Sequence, residues 1–194
     1  MSDRAERIRV LLDRYGYQAA ESICNEWNYL KNWTDQFMYT VDMIRGCKGA
    51  AFVMSRISEA QRAPIDMLMY YDTRPGVLCG VFDYYTYKPQ KAYYPLYCME
   101  MIFTVAVPRC GVRRRLKTFI RCVALMRTGG LLQSLPIFRM TMPTADVTLH
   151  VDFAKEAEYE IYAVDREHNG ERIRTTRDLT VTLPVHSCIL IKEI

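Results

Sequence analysis

Glu26 lies in the run Ile23-Cys24-Asn25-Glu26-Trp27-Asn28-Tyr29, where a short apolar stretch gives way to an aromatic one. A carboxylate at such a junction can act as an enzyme nucleophile, because a strand end holds it while the following loop leaves it accessible. Two later runs repeat the theme. Asp66-Met67-Leu68-Met69-Tyr70-Tyr71-Asp72 is an apolar stretch that ends in two tyrosines and a carboxylate, and Gly80-Val81-Phe82-Asp83-Tyr84-Tyr85 sets another carboxylate among rings. Rings beside carboxylates suit a sugar, whose C–H faces pack on aromatic faces while its hydroxyls bond to the acids. A single tyrosine is better explained as core. The grouping of Trp27, Tyr70, Tyr71, Asp72 and Asp83 behind two successive strand ends points instead to one shared rim.

Other chemistries have less support. The seven cysteines form no Cys-x-x-Cys pair, and their odd number argues against a closed disulfide framework, so they are expected to be mostly reduced and buried. His150, His168 and His186 lack metal-ligand spacing, and neither metal nor cofactor is expected. No window approaches the roughly 20 apolar residues of a membrane span, and Met1-Ser2-Asp3-Arg4 does not open a signal peptide, so a cytoplasmic location without membrane contact is expected. The net charge of +4 is unevenly spread. Residues 101–145 hold eight Lys or Arg and no Asp or Glu, leaving the rest of the chain net negative. The run Gly111-Val112-Arg113-Arg114-Arg115-Leu116-Lys117 can contact phosphates, but no helix-turn-helix, finger or aromatic platform surrounds it, so a nucleic-acid partner is not favoured.

The elements that must position these residues alternate at first. Residues 5–15 place Ile8, Leu11 and Leu12 at helical spacing, with Gly16 as the stop. An extended segment over 19–24 leads to Glu26, with a loop over 27–33. Thr34-Asp35 caps a second helix expected to run to about residue 59, with Phe37, Val41, Ile44, Ala51 and Met54 as its apolar set. Residues 66–72 read as a buried parallel strand with functional residues at its carboxyl end. A further helix starts near Tyr93-Tyr94-Pro95. The order helix, strand, loop, helix, strand implies an α/β architecture. After residue 143 the period changes to two, with strands expected over 146–153, 159–164, 179–184 and 187–191 and a turn at Asn169-Gly170.

These motifs in combination resemble the carboxyl-terminal part of glycoside hydrolase family 39-like proteins, the group that includes β-xylosidases. The matching pieces are Asn25-Glu26-Trp27-Asn28-Tyr29, Lys48-Gly49-Ala50-Ala51-Phe52, Ala63-Pro64-Ile65-Asp66 running on to Arg74-Pro75, Gly80-Val81-Phe82-Asp83, and Lys88-Pro89 with Tyr93-Tyr94-Pro95. The resemblance covers residues 5–98 and resumes over 143–194. It implies the last part of a (β/α)8 TIM barrel followed by a small antiparallel β-sandwich segment. It makes Glu26 the seventh-strand nucleophile of a retaining glycosidase, with Asn25, Trp27, Asn28, Tyr70, Tyr71, Asp72 and Asp83 lining an oligosaccharide site. Retaining chemistry uses two carboxyl groups about 5–5.5 Å apart. In the family the acid/base is a fourth-strand Glu, which lies upstream of anything in this sequence, so a separate chain completing the barrel is one expectation.

Three regions follow: 1–98 as the barrel portion, 99–142 as an anomalous basic segment, and 143–194 as the β-sandwich appendage. Residues 99–142 depart from the family and coincide with the Arg-rich stretch. A codon choice for them exists whose neighbouring frame reads approximately GDDIYRCGTAVRSAPQAEDIYTLC and onward, an acidic, alternating, family-like entry to a β-domain. The expectation is a displaced reading frame, which would account for both anomalies. The functional readings are therefore a retaining hydrolase of xylosides or related plant oligosaccharides, an inactive remnant or carbohydrate-binding fragment of one, and a basic nucleic-acid module.

Overall fold

The computed structural model describes residues 1–60, 63–106, 122–126, 146–150 and 157–194. The basic run 111–117 and most of the segment 99–142 lie outside them, as does the proposed frame displacement.

Helix α1 (Ser2–Arg14) carries Asp3 in its first turn and Arg14 in its last, both favourable to the helix dipole. It ends where Gly16 adopts φ +85°, a conformation that a side chain would disfavour. Of its residues only Ala5 is buried, and Ile8, Val10 and Leu11 face outward. Its start is tied to the end of α3, because Glu59 Oε1 accepts from the Met1 α-amino group at 3.0 Å and from the Ser2 amide at 2.8 Å.

The long helix expected up to residue 59 is two helices, α2 (Phe37–Arg45) and α3 (Cys47–Ala60). Gly46 separates them with extended backbone (φ −99°, ψ −171°), so the helical hydrogen-bond ladder stops and restarts in a new direction. Strand β1 (Ile23–Trp27) precedes this pair and β2 (Met67–Tyr70) follows it. The two strands lie parallel, pairing Ile23 with Met67, Cys24 with Leu68 and Trp27 with Tyr70, with an irregularity between Cys24 and Trp27. Helix α4 (Tyr93–Ala106) comes next.

Alternation gives the two-stranded sheet two different faces. Cys24, Trp27, Leu68 and Tyr70 join a cluster with Val53 of α3, Leu96 of α4, and Val81 and Ala92 of the intervening loop. Ile23, Met67 and Met69 are instead exposed by nearly half. Neither outer edge of this sheet is paired with another strand among the described residues.

The carboxyl-terminal strands are β3 (Cys122–Met126), β4 (Val147–His150), β5 (Tyr159–Val164), β6 (Asn169–Thr176), β7 (Thr180–Leu183) and β8 (Cys188–Glu193). They form a four-stranded antiparallel sheet in the order β3-β8-β5-β6 and a β4-β7 ribbon. Tyr159, Ile161 and Ala163 of β5 and Ile189 and Ile191 of β8 pack with Val181 and Leu183 of β7. On the opposite face, Val164, Cys188 and Leu190 pack with Ala50 and Met54 of α3 and Cys98 and Met99 of α4. Cover on both faces explains why most residues of β5 and β8 are apolar, whereas β6 at the edge is polar and largely exposed; each fully buried Ile or Leu contributes about 1.5–3 kcal/mol. The turn expected at Asn169-Gly170 is displaced. Asn169 already opens β6, and Asp165 Oδ1 makes the reversal by accepting the amides of Glu167 and His168, both at 2.8 Å.

Candidate active site

Because β1 and β2 are parallel, their carboxyl ends fall on one side of the sheet, and the candidate residues follow those ends. The irregularity after Cys24 leaves both Asn25 and Glu26 exposed before Trp27 turns back into the core. Among the described residues no hydrogen bond or ion pair reaches the Glu26 carboxylate, which stands accessible at the rim.

Asn28 joins the two strand ends. Its Nδ2 donates to the Tyr71 carbonyl at 2.9 Å while its Oδ1 accepts the Leu30 amide at 2.9 Å, and the Tyr71 amide donates to the Trp27 carbonyl at 3.1 Å. This cross-brace fixes where Glu26 lies relative to Tyr71 and Asp72. The Tyr71–Asp72 peptide is cis, and the Tyr71 ring is exposed.

Asp72 is already engaged. Its Oδ1 accepts the Arg74 amide at 3.0 Å, and its Oδ2 accepts from Arg74 Nε. Burial works against its ionised form, but the Arg74 hydrogen bonds and charge outweigh that and hold the carboxyl below its ordinary range. Asp83 is similarly committed: its Oδ1 accepts the Thr86 amide at 2.8 Å, the Thr86 hydroxyl at 2.9 Å and the Tyr85 amide at 3.1 Å. Those bonds from Thr86 and Tyr85 lower its pKa and make it a turn anchor.

Trp27 and Tyr70 lie beneath the rim. Trp27 is 8% exposed, its ring meeting Tyr70 edge-on at 5.0 Å and Phe52 at 6.3 Å. Trp27 Nε1 and Tyr70 Oη are buried with no hydrogen-bond partner among the described residues. Burial, reinforced by Cys79 and Asp72, pushes the Tyr70 phenol well up, so it stays protonated. The eight candidates thus divide: Asn25, Glu26 and Tyr71 stand at the surface, Asn28 and Asp72 brace the rim, Trp27 and Tyr70 support it from below, and Asp83 belongs to a turn farther out.

Cys79, behind Asp72, and Lys48, over the Tyr29 ring, were not nominated as site residues by the sequence. The loop after β2 folds back so that the Asp72 amide donates to the Cys79 carbonyl at 3.4 Å and the Val81 amide to the Asp72 carbonyl at 3.0 Å. Burial, with the charges of Asp72 and Glu26, raises the Cys79 thiol and so disfavours its thiolate. Lys48 Nζ donates to Tyr39 Oη at 2.9 Å and lies over the Tyr39 and Tyr29 rings at 5.1 and 5.9 Å. Nothing in the spacing of either residue signals these placements, which depend on loop closure and on the α2–α3 corner.

A cleft flanks each edge of the two-stranded sheet. The one beside β1, about 700 Å³, is lined by Ile23, Asn25, Glu26 and Asn28 together with Arg4 and Ile8 of α1. The one beside β2, about 670 Å³, is lined by Met67, Leu68 and Tyr70 together with Leu96 and Met99 of α4. Among the described residues no group of three His, Cys, Asp or Glu is placed to hold a metal ion, and no helix is long and apolar enough to cross a membrane. Chemically, the rim offers one accessible carboxylate, suited to attack on an electrophilic carbon or to hydrogen bonding with hydroxyls.

No protein-family model and no curated protein matches this chain. Solved structures do match. A glucosidase from Croceicoccus marinus superposes with a TM-score of 0.60 at 16% identity, over 98% of this chain and 49% of its own. The glycoside hydrolase family 30 subfamily 8 xylanase Xyn30A from Clostridium acetobutylicum gives 0.52 at 8% identity, over 90% of this chain and 42% of its own. A family 30 endoxylanase from Clostridium papyrosolvens gives 0.51 at 11% identity, over 95% and 45%. The fold is therefore that of part of these glycoside hydrolases, and the chain spans half or less of their length.

Proposed function

We propose that this chain is the carboxyl-terminal part of a retaining glycoside hydrolase of the β-xylosidase type, with Glu26 as its nucleophile. Residues 1–98 supply the last part of a (β/α)8 barrel, and residues 143–194 a β-sandwich appendage. The observation that carries the reading is the accessible Glu26 carboxylate at the carboxyl end of a parallel strand, braced through Asn28 to the neighbouring strand end. In barrel enzymes that end of the strands is where catalytic groups gather. Likeness of fold to hydrolases of glycosides supports a carbohydrate substrate over other electrophiles.

In the proposed reaction the Glu26 carboxylate attacks the anomeric carbon, the glycosidic C–O bond breaks, and the leaving oxygen takes a proton from a second carboxyl group. Asp72 and Asp83 are poor donors for that step, since their partners favour the ionised form. The acid is therefore assigned to a carboxyl group from outside this rim, supplied by further barrel strands. Both edges of the β1–β2 sheet, unpaired among the described residues, and the exposed face of Ile23, Met67 and Met69 are where such companion strands would pair and pack. Without them the chain is a carbohydrate-binding fragment that turns over slowly or not at all.

A dinitrophenyl β-xyloside tests the nucleophile separately from the acid, because its leaving group departs without a proton. The expected result is release of about one equivalent of dinitrophenolate and a xylosyl mass increment on the peptide that contains Glu26, both lost in Glu26→Gln. Labelling that survives this substitution would overturn the assignment.

A further inference from the structure

Beyond the β1–β2 rim, the segment after Phe82 forms a short hairpin that displays three tyrosines. Tyr84, Tyr85 and Tyr87 are 50%, 78% and 70% exposed. We propose that this hairpin is a stacking platform for a neutral β-linked oligosaccharide, extending the Glu26 site toward longer substrates; the assignment rests on the glycosidase reading above.

Rigidity is the first argument. The Asp83 amide donates to the Lys88 carbonyl and the Tyr87 amide to the Asp83 carbonyl, both at 2.9 Å, while the Asp83 carboxylate accepts three bonds from Tyr85 and Thr86. At the base, Phe82 bridges to Pro75 on one side and Pro89 on the other, and its ring meets Tyr93 at 5.2 Å within the core cluster. Tyr87 adopts φ +57°, a conformation that costs a tyrosine free energy. The loop is thus held in one shape although its three rings face solvent. Tyr84 and Tyr85 lie edge to face at 5.2 Å, so they present surfaces in different planes, as a twisting chain of pyranose rings requires.

Chemistry and place supply the second argument. The only charged groups in residues 83–88 are Asp83, whose Oδ1 is held inward by the turn, and Lys88, so the segment carries no net charge. A neutral aromatic face of this kind suits C–H faces of sugars better than phosphates or carboxylates. The hairpin is coupled to the rim, because Val81 at its base donates to the Asp72 carbonyl at 3.0 Å. It therefore grows from the same strand end as the residues braced to Glu26. Rigid aromatic side chains bind at low entropic cost, having few torsions to lose.

The test compares xylobiose with xylohexaose by calorimetry on the full chain, using Tyr85→Ala and Tyr87→Gly. Glycine keeps the left-handed backbone at 87, so that variant removes the ring while leaving the turn intact. The expected result is that the hexaose binds at least tenfold more tightly than the biose, that each variant loses about five- to tenfold in hexaose affinity with biose affinity unchanged, and that Tyr85→Trp retains the preference. An unchanged hexaose-to-biose ratio in both ring-removing variants overturns the platform, as does absence of hexaose binding by the parent chain. A concentration-dependent dimer that these variants abolish without altering hexaose affinity also overturns it, since the rings would then serve self-association. Loop-dependent hexaose binding in a chain whose Glu26 is never labelled leaves the platform standing and removes the catalytic reading. Labelling of Glu26 with loop-independent binding does the reverse.

Discussion

Replacing Gly49 by alanine should destabilise the chain, although the same change in an ordinary helix would stabilise it. Gly49 is in the first turn of α3, where the chain turns away from α2. A Cβ there would lie 2.1 Å from the Ile44 carbonyl oxygen and 2.6 Å from its Cα and carbonyl carbon. Ordinary contact begins near 3.4 Å, so the two helices must separate by more than an ångström, and Ile44 is fully buried with no slack to give. Overpacking of this kind costs about 1–3 kcal/mol, and a backbone obstacle places it at the upper end. Alanine recovers about 1 kcal/mol of helix propensity, leaving a net loss of about 2 kcal/mol. With a urea m-value of about 2 kcal/mol/M, the unfolding midpoint should fall by about 1 M. Gly46→Ala, three residues earlier, is the control: its nearest neighbour is Met43 O at 3.8 Å and its backbone is extended, so its midpoint should move by less than about 0.5 kcal/mol in equivalent stability. The damage should reach the site, because Thr40 of α2 accepts the Lys31 amide at 3.0 Å and so holds the loop that follows Glu26. A Gly49→Ala midpoint equal to or above that of the parent refutes the reasoning.

Asn28→Ala removes two 2.9 Å hydrogen bonds from a half-buried group and should cost about 1–3 kcal/mol in urea unfolding. It should also slow xylosyl labelling of Glu26, and a stability change below about 0.3 kcal/mol would show that the brace is dispensable. Acid should erode stability through Asp72, Asp165 and Glu160. Burial opposes ionisation of Asp72 and Asp165, but Arg74 for the first and His168 and the Glu167 amide for the second depress the folded pKa, while Tyr162 and Arg172 depress that of Glu160. A depressed carboxyl contributes stability that is complete above its unfolded value near 4 and is lost as pH falls through the folded value. Unfolding free energy measured from pH 7 to 3 should therefore change little from these groups down to about pH 5 and then decline, and Arg74→Met should weaken the decline.

What the sequence could and could not convey is clearest where a residue's role depends on something outside its own segment. Strand β5 was readable over Tyr159–Val164 because a short aromatic and aliphatic run before a turn favours a strand, although its burial does not alternate, and β2 was readable as a strand although it is not buried as expected: Met67 and Met69 stay exposed by nearly half. The division of one long helix at Gly46 was not readable, since a glycine inside a helical pattern is equally compatible with an unbroken helix. The rim shows the same limit more sharply. The motif around Glu26 placed that carboxylate at a strand end, but whether Trp27 faces the rim or the core depends on the irregularity between Cys24 and Trp27, which reverses the side on which each later residue emerges. Likewise Asp72 and Asp83 look like equivalents of Glu26 in sequence, but Arg74, two residues on, engages both oxygens of the first, and Thr86, three residues on, holds Oδ1 of the second. Residue type and spacing can nominate a carboxylate; its freedom to react depends on what the folded loop leaves unbonded. By that criterion Glu26 is the one of the three nominated carboxylates with neither oxygen bonded among the described residues, and on the proposed hydrolase reading a second carboxyl group would have to be brought to it.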